Sequence, residues 1–337
     1  MLFLLSSDYS PRYKQDILRC LAAPVGTTIQ FRYDKVHIPK SVLEKLTSDR
    51  TQFPLEGIVC SVASKGNGIL PIVPVRKVSV EKPRVHGETI SVSLVVAQVV
   101  VASPTEFSSG LDRLSNNQTP RIKDGMQSPE GFYLFEAETP DKVEVGSSVA
   151  LWERTVIALR EQHAYEDEPF FWVGIGIEAA EQALDTSTLH AWPSSLPPRR
   201  QYRLLIYHFQ PRGGPRPDSK MEVTLGNLLE SVTPPDTKID SRYDLKRWWF
   251  STSDNPQRPQ TTWLRIRTAD SWDLDLTLRI GASRWRTVAS GALVAVPAIL
   301  ALITQDLEAQ TKFALSAVGI AVGILSSFLA ASRVEKK

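Results

Sequence analysis

Cysteine is scarce in this sequence, and neither sign of charge is in clear excess. The 337 residues include two cysteines, Cys20 and Cys60. They do not form a C-x-x-C pair, which excludes a disulfide framework and a thiolate zinc site. The 39 lysines and arginines nearly balance the 37 acidic residues, so no overall field favours nucleic acid as the main partner. The apolar run at residues 1–5 lacks a basic segment and is too short for a signal peptide.

Motifs of common catalytic and nucleotide-binding sites are also missing. No His-Glu-x-x-His, Gly-x-Ser-x-Gly or Gly-x-x-x-x-Gly-Lys pattern occurs. The segment from Gly174 through Gly176 to Ala179 resembles a dinucleotide fingerprint, but the helix predicted after it ends within about two turns. The next strand lacks the acidic residue that would bind a ribose. We therefore expect these glycines to relieve a crowded strand, and we expect no cofactor.

A group of polar residues follows a predicted helix and is the best candidate for a metal or acid-base site. Its members are Glu161, His163, Glu166, Asp167 and Glu168. Their spacing matches no ligand motif, and a solvated loop at a helix end explains them equally well. We predict no metal site. Enzymatic activity stays open, because a catalytic base could be among the five histidines.

Two long apolar runs, at 288–304 and 313–332, contain no charged side chain. At about 1.5 Å per residue each reaches roughly the thickness of a hydrocarbon core. They predict a transmembrane helical hairpin at 287–332 and a tail at 333–337. Lysine and arginine flank the hairpin on its outer ends, which predicts that both termini are cytoplasmic and that the protein is integral to the plasma (inner) membrane. The predicted interfacial anchor is Arg284, Trp285 and Arg286.

Small residues recur along one face of each predicted span. They are Gly291 and Ala295 with Pro297 nearby in the first span, and Gly319, Gly323 and Ser327 in the second. Small residues let helix backbones approach closely. The two faces could close one hairpin on itself or join hairpins of different subunits. The second alternative predicts a homo-oligomer.

The first half of the chain opens with a β-α-β-α pattern. Residues 1–5 predict a buried strand, Ser10 and Pro11 mark the start of a helix, and alternation at 29–33 predicts a second strand. A small antiparallel sheet or barrel is predicted from later runs at 57–63, 69–80 and 89–101.

The second half is predicted to be rich in strands, of which 272–280 alternates most clearly. We assign an α+β fold class to the region before the hairpin, with a β-α-β-α start and mainly antiparallel β-structure after it. The predicted domains are an α/β domain with a small antiparallel sheet at 1–127 and a β-rich domain next to the membrane at 128–286.

Basic and aromatic residues lie together on two predicted strands of this half. The candidate ligand- or phosphate-binding residues are Arg247, Trp248, Trp249, Arg265 and Arg267. Interleaved arginine and tryptophan side chains stack on bases and hold phosphates. The alternative is a tryptophan-rich core with a solvated basic rim.

This layout predicts a membrane-anchored cytosolic sensor or effector. Its soluble region would bind a small-molecule or protein trigger and control how the hairpins pack in the lipid bilayer. The architecture is similar to that of membrane-acting effectors of bacterial immune systems, which would give it a role in antiviral defence. Two alternatives are a membrane-tethered enzyme with its site in the α/β half, and a scaffold that recruits another protein to the membrane.

Overall fold

The structure is a computed structural model, and it describes thirteen stretches of the chain. These are residues 1–7, 10–64, 68–122, 129–166, 168, 170–177, 188–189, 191–198, 200–209, 221–232, 243–252, 259–268 and 273–281. The chain divides into two compact units, and the first contains residues 1–193, 200–252 and 262–278. In the second unit, the Leu196 amide donates a hydrogen bond to the Arg279 carbonyl, and the Gly281 amide donates one to the Leu196 carbonyl.

The described residues form 17 β-strands. They are β1 (Leu2–Ser7), β2 (Thr28–Asp34), β3 (Leu55–Val62), β4 (Gly68–Ile69), β5 (Ile72–Val80), β6 (Arg84–His86), β7 (Thr89–Val101), β8 (Arg121–Ile122), β9 (Leu134–Glu136), β10 (Glu144–Gly146), β11 (Phe170–Ile177), β12 (Gln201–Phe209), β13 (Met221–Leu225), β14 (Leu229–Ser231), β15 (Tyr243–Thr252), β16 (Gln260–Thr268) and β17 (Asp273–Ile280). The described α-helices are α1 (Pro11–Ala22), α2 (Lys40–Thr47), α3 (Pro104–Leu114) and α4 (Val149–Arg160), with 3-10 turns at Lys35–His37 and His163–Tyr165.

The predicted α+β fold ending in a transmembrane helical hairpin was wrong. In the part of the chain that the structure describes, the fold is mainly β-sheet, with four helices of 8 to 12 residues. None of these helices is long and apolar enough to cross a membrane. This finding corrects both the predicted integral-membrane localisation and the predicted transmembrane hairpin, because both rested only on the hydropathy and length of the two apolar runs.

The residues on which the hairpin prediction rested lie outside the described part of the chain. They are the two apolar runs, the anchor residues Arg284, Trp285 and Arg286, and the small residues Gly291, Ala295, Pro297, Gly319, Gly323 and Ser327. The predicted domain boundary between residues 127 and 128 stays a prediction.

An eight-stranded sheet is the centre of the first half of the chain. Its order is β10-β7-β5-β3-β1-β9, and β2 and β6 also pair with β7. Strands β1 and β3 are parallel, from Leu2 opposite Gly57 to Ser7 opposite Val62, while the other pairs of this sheet are antiparallel. Every residue of β1 is buried, as is typical of a strand covered on both faces. A Cβ atom at Gly57 would lie 2.8 Å from Leu4 Cδ1, so glycine permits this close packing.

A buried arginine holds the C-terminal end of α1. Arg76 of β5 is 1% exposed, and its guanidinium donates to the carbonyls of Cys20, Leu21, Ala23 and Ala97 at 2.6 to 3.4 Å. The last carbonyls of a helix have no partner within the helix, and Arg76 supplies one from the sheet. Burial lowers the pKa of Arg76 to about 10, which leaves it charged at neutral pH.

Two smaller sheets form the second half. One has the order β11-β12-β15-β14, and the other has the order β13-β16-β17. The pattern predicted at 272–280 is observed as β17, with Leu274, Leu276, Leu278 and Ile280 buried in alternation. Helix α4 adjoins the first of these sheets, because the Trp152 ring lies 5.8 Å from the ring of Tyr207.

Candidate ligand-binding pocket

A cavity of about 280 Å³ lies at the carboxyl end of β1, and we call it the β1 pocket. It is lined by Leu5, Ser6, Ser7, Tyr13, Arg32, Tyr33, Asp34, His37, Pro129 and Tyr133. These residues come from the end of β1, the first turn of α1, the end of β2, the 3-10 turn after it and the segment before β9. Ligands of open sheets that contain parallel strands commonly bind outside the carboxyl ends of those strands.

Main-chain hydrogen bonds fix the walls of the β1 pocket. The Leu5 amide donates to the Tyr133 carbonyl at 2.7 Å, and the Tyr133 amide donates to the His37 carbonyl at 2.9 Å. The rings of His37 and Tyr133 meet edge to face, with centroids 5.1 Å apart. Three separate segments therefore hold one another in place around the cavity.

Two hydroxyl groups belong to residues that line the pocket, and that of Tyr33 is buried without a partner. Tyr33 is 6% exposed, and its hydroxyl makes no hydrogen bond. Ser6 is 4% exposed, and no side-chain hydrogen bond joins it to another described residue. Nearly all buried polar groups in proteins are hydrogen-bonded, so an exception needs an explanation. A hydroxyl donates one hydrogen bond and accepts two, so both groups are suited to a polar ligand.

The charged residues of the pocket have opposite signs. Arg32 and Asp34 are both exposed at the end of β2, and neither forms an ion pair with another residue in the described stretches. A guanidinium only donates hydrogen bonds, and an ionised carboxylate only accepts them. The rings of Tyr13 and Tyr133 add aromatic surface for stacking or edge contacts.

An acidic residue is buried beneath this site, on α1. Asp16 is 6% exposed, and burial raises its pKa from 3.8 to about 6, against the opposing charges of Arg19 and Arg12. Burial also raises the pKa of Tyr33 well above its usual value, and the negative charge of Asp16 adds to that shift. Tyr33 therefore stays neutral and keeps its proton to donate.

The predicted basic and aromatic residues of the second half are only partly brought together. Trp248 is buried and Trp249 is half-buried, and both line a second cavity. Arg247 and Arg267 are exposed. Arg265 is already engaged, because its guanidinium donates to both carboxylate oxygens of Asp275 at 2.5 and 2.9 Å. Their role in ligand or phosphate binding stays a prediction.

The other two motifs show no metal or nucleotide site in the described residues. Glu161 and Glu166 are exposed, Asp167 and the side chain of His163 lie outside the description, and no group of three ligand side chains that could hold a metal occurs in the described stretches. Gly174 lies in β11, where a Cβ atom would come within 2.9 Å of the Trp172 ring. Crowding therefore accounts for this glycine without a nucleotide.

Sequence reasoning missed the β1 pocket, because its residues come from five separate segments. One signal was present. Ser6 and Ser7 end an apolar strand and precede Pro11, which starts a helix. Polar residues at a junction from strand to helix mark the usual position of such sites.

No protein-family model matches this sequence, and no curated protein matches it. Among solved structures, the surface layer protein SbsC, domains 4–9, is 7% identical, with a TM-score of 0.17. That match covers 78% of this chain and 30% of the SbsC chain. A likeness at this level carries no argument about fold or function.

Proposed function

We propose that this protein is a small-molecule sensor whose ligand binds in the β1 pocket. The observation that carries the proposal is the cavity at the carboxyl end of β1, whose lining includes Ser6 and Tyr33, with the Tyr33 hydroxyl buried and unpartnered. A buried polar group without a partner costs free energy in the free protein. A ligand that draws the Tyr33 hydroxyl into a hydrogen bond recovers that cost, which makes binding specific.

The lining indicates the chemistry of the ligand. Arg32 requires an acceptor, Asp34 requires a donor, and the two hydroxyls take either. The tyrosine rings favour a planar group. At about 280 Å³ the cavity is near the lower end of the usual range for ligand pockets, roughly 300 to 1,000 Å³. The ligand is therefore a small, ring-containing molecule with both donors and acceptors.

Helix α1 connects the pocket with the second half of the chain. Tyr13 in its first turn lines the pocket. Arg19, further along the same helix, donates to the carbonyl and to the carboxylate of Asp273 in β17, both at 2.8 Å. A ligand that binds more tightly to one position of α1 than to another shifts the population of the protein toward that position. The ion pair between Arg19 and Asp273 then transmits the movement of α1 to β17. The enzyme alternative stays a prediction, since no contact in the described residues favours it.

The test is a binding screen with free nucleobases, aromatic amino acids and pyridine carboxylates on the full chain. We expect at least one of these probes to raise the melting temperature through mass action. Replacing Tyr33→Phe removes only the unpartnered hydroxyl. The affinity for that probe should fall about fivefold, as expected for the loss of one neutral hydrogen bond. The stability of the free protein should not fall.

The matched control is Tyr207→Phe, whose hydroxyl donates to Glu153 at 2.6 Å, away from the pocket. This change should lower stability and leave probe affinity unchanged. Hydrogen exchange of residues 273–278 should slow or quicken when the probe binds if α1 transmits occupancy. A screen without binders, or equal affinity of Tyr33→Phe and the original protein for every binder, would show that the pocket is not the site.

A further inference from the structure

A cavity of about 570 Å³ lies at the carboxyl end of β3, and we call it the Glu161 cavity. Its walls come from the segment after β3, the start of β5, the first turn of α3 and the end of α4. Because β1 and β3 are parallel, this cavity and the β1 pocket lie at the same edge of the sheet, where ligands commonly bind. Its volume is within the usual range of ligand pockets, roughly 300 to 1,000 Å³.

Hydrogen bonds fix the wall that the end of α4 forms. Gln162 lines the cavity and is 5% exposed. Its side-chain nitrogen donates to the Pro71 carbonyl at 3.3 Å, and its side-chain oxygen accepts from the Ser61 hydroxyl at 2.8 Å. The main chain beside Glu161 is therefore tied to β3 and to the residue before β5.

Glu161 places a carboxylate without a counter-ion on this wall. It is exposed, and it also lines an adjoining cavity of about 410 Å³. The other charged side chains of the described lining are paired, Arg154 with Glu144 at 2.6 Å and Lys142 with Glu106 at 3.0 Å. Glu161 forms no ion pair in the described stretches. The described lining therefore carries one uncompensated negative charge.

The position of Glu161 in its helix adds to that negative charge. Glu161 is the C-cap of α4. The C-terminal end of a helix carries a partial negative charge, and its last carbonyls lack partners within the helix. The neighbouring Arg160 lies in the last turn but does not pair with Glu161 in the described structure. A carboxylate at this position costs free energy, which a cation beside it would offset.

The walls around the carboxylate are mainly small and aliphatic. Ala63, Val73, Ala158 and Ala164 line the cavity together with two prolines. A primary ammonium group has three donors, so it can bond to the carboxylate and to helix carbonyls together. We infer that the Glu161 cavity binds a primary amine with an aliphatic body, whose ammonium group pairs with Glu161. This inference is independent of the β1 pocket.

The experiment compares three probes of similar size on the full chain by titration calorimetry at about pH 7: hexan-1-amine, hexan-1-ol and hexanoate. Only the amine carries a cation. We expect it to bind about tenfold more tightly than the alcohol, as one hydrogen bond to a charged group allows. Hexanoate should bind more weakly than the alcohol, because its charge is repelled. Salt at about 1 M should reduce the preference for the amine, since it screens the charge of an exposed carboxylate.

Glu161→Gln keeps the size of the side chain and removes its charge. The preference for the amine over the alcohol should disappear, while the affinity for the alcohol stays the same. Glu44→Gln is the matched control, because Glu44 is also exposed near the C-terminal end of a helix, α2, and does not line the cavity. It should keep the preference.

Ala158→Leu tests whether the probes bind inside the cavity. The larger side chain fills part of the space and keeps a strong helix former in α4, so both the amine and the alcohol should bind more weakly. Equal affinity of the original protein for amine and alcohol, absence of amine binding, a preference that survives in Glu161→Gln, or amine binding unchanged by Ala158→Leu would each overturn the inference.

Discussion

Residues 1–166, the first region, and residues 170–278, the second region, differ in how they satisfy buried polar groups. In the first region, Arg76 donates to four carbonyls, and the Ser61 hydroxyl hydrogen-bonds with both the Gln162 amide oxygen and the Tyr165 hydroxyl. In the described part of the second region, buried donors of Trp172, Arg203 and Trp248 have no partner.

The first region has such atoms as well, and one of them is informative. Besides single guanidinium nitrogens of Arg121 and Arg160, the described residues leave the Tyr33 hydroxyl unpartnered, at the β1 pocket. Buried polar groups cost free energy unless they are paired. The comparison indicates that the first region is a fixed scaffold with an open hydroxyl at the β1 pocket. The described part of the second region leaves buried indole and guanidinium donors open.

The largest expected effect comes from removing the most fully satisfied group, by Arg76→Met. Three carbonyls at the end of α1 and the Ala97 carbonyl of β7 would each lose a donor in a buried environment, and each such loss is costly. We expect the free energy of unfolding to fall by about 3 kcal/mol or more, measured by urea denaturation. The same change would also loosen α1, and with it the wall of the β1 pocket.

Arg154→Met is the matched control for that measurement. Arg154 pairs with Glu144 at 2.6 Å, but both side chains are largely exposed, and exposed ion pairs contribute little to stability. If the two substitutions lowered the free energy of unfolding equally, hydrogen bonding of buried polar groups would not distinguish the first region from the second.

A pH-dependent effect of intermediate size is expected from Asp16. The folded protein holds its pKa above that of the unfolded chain, at about 6 against 3.8, so the folded state binds the proton more tightly. The contribution of Asp16 to the free energy of unfolding is therefore fully present below pH 3.8 and is lost as the pH rises to about 6. Asp16→Asn should stabilise the protein by about 2 kcal/mol at about pH 8 and change little at about pH 4, measured by denaturation at both.

Asp275 in the second region should show the opposite sign. Its hydrogen bond with Arg265 lowers the pKa of Asp275, so its contribution is present above the unfolded value and is lost as the pH falls. The effect of Asp275→Asn should be smaller, since the side chain is about half exposed. If Asp16→Asn destabilised the protein equally at both pH values, the raised pKa of the buried Asp16 carboxylate would be contradicted.

The positions of most strands and helices could be predicted from residue patterns, whereas their arrangement could not. Alternation placed β17, and Pro11 marked the start of α1. The parallel pairing of β1 with β3 was not predicted, because a run of buried residues such as β1 carries no signal for its partner. The burial of Arg76 was not predicted either, since a charged side chain inside a strand does not reveal that carbonyls from a helix end surround it.

The candidate sites follow the same division. Trp248 was singled out from its neighbours in sequence, and it does line a cavity. Sequence could not show that its indole donor lacks a partner, because this depends on the packing of the folded chain. The residues of the β1 pocket are brought together only by the fold.

The smallest effect is expected from a pair of tryptophans that tests the comparison directly. The Trp152 indole N–H of the first region donates to the Leu21 carbonyl at 3.1 Å, while that of Trp248 in the second region has no partner. Replacement by phenylalanine removes a similar volume at both positions. Trp152→Phe also deprives a buried carbonyl of one donor, whereas Trp248→Phe removes an unsatisfied one.

We therefore expect Trp152→Phe to destabilise the protein by about 1 kcal/mol more than Trp248→Phe, the usual net contribution of one hydrogen bond. Urea denaturation of both variants without added ligand measures this difference. Arg76 also donates to the Leu21 carbonyl, so Trp152→Phe in the Arg76→Met background should cost more than in the original protein, because that carbonyl then loses both donors. An equal cost for the two tryptophans would mean that the regions do not differ in how they treat buried donors, and that the Trp248 indole finds an acceptor in the free protein.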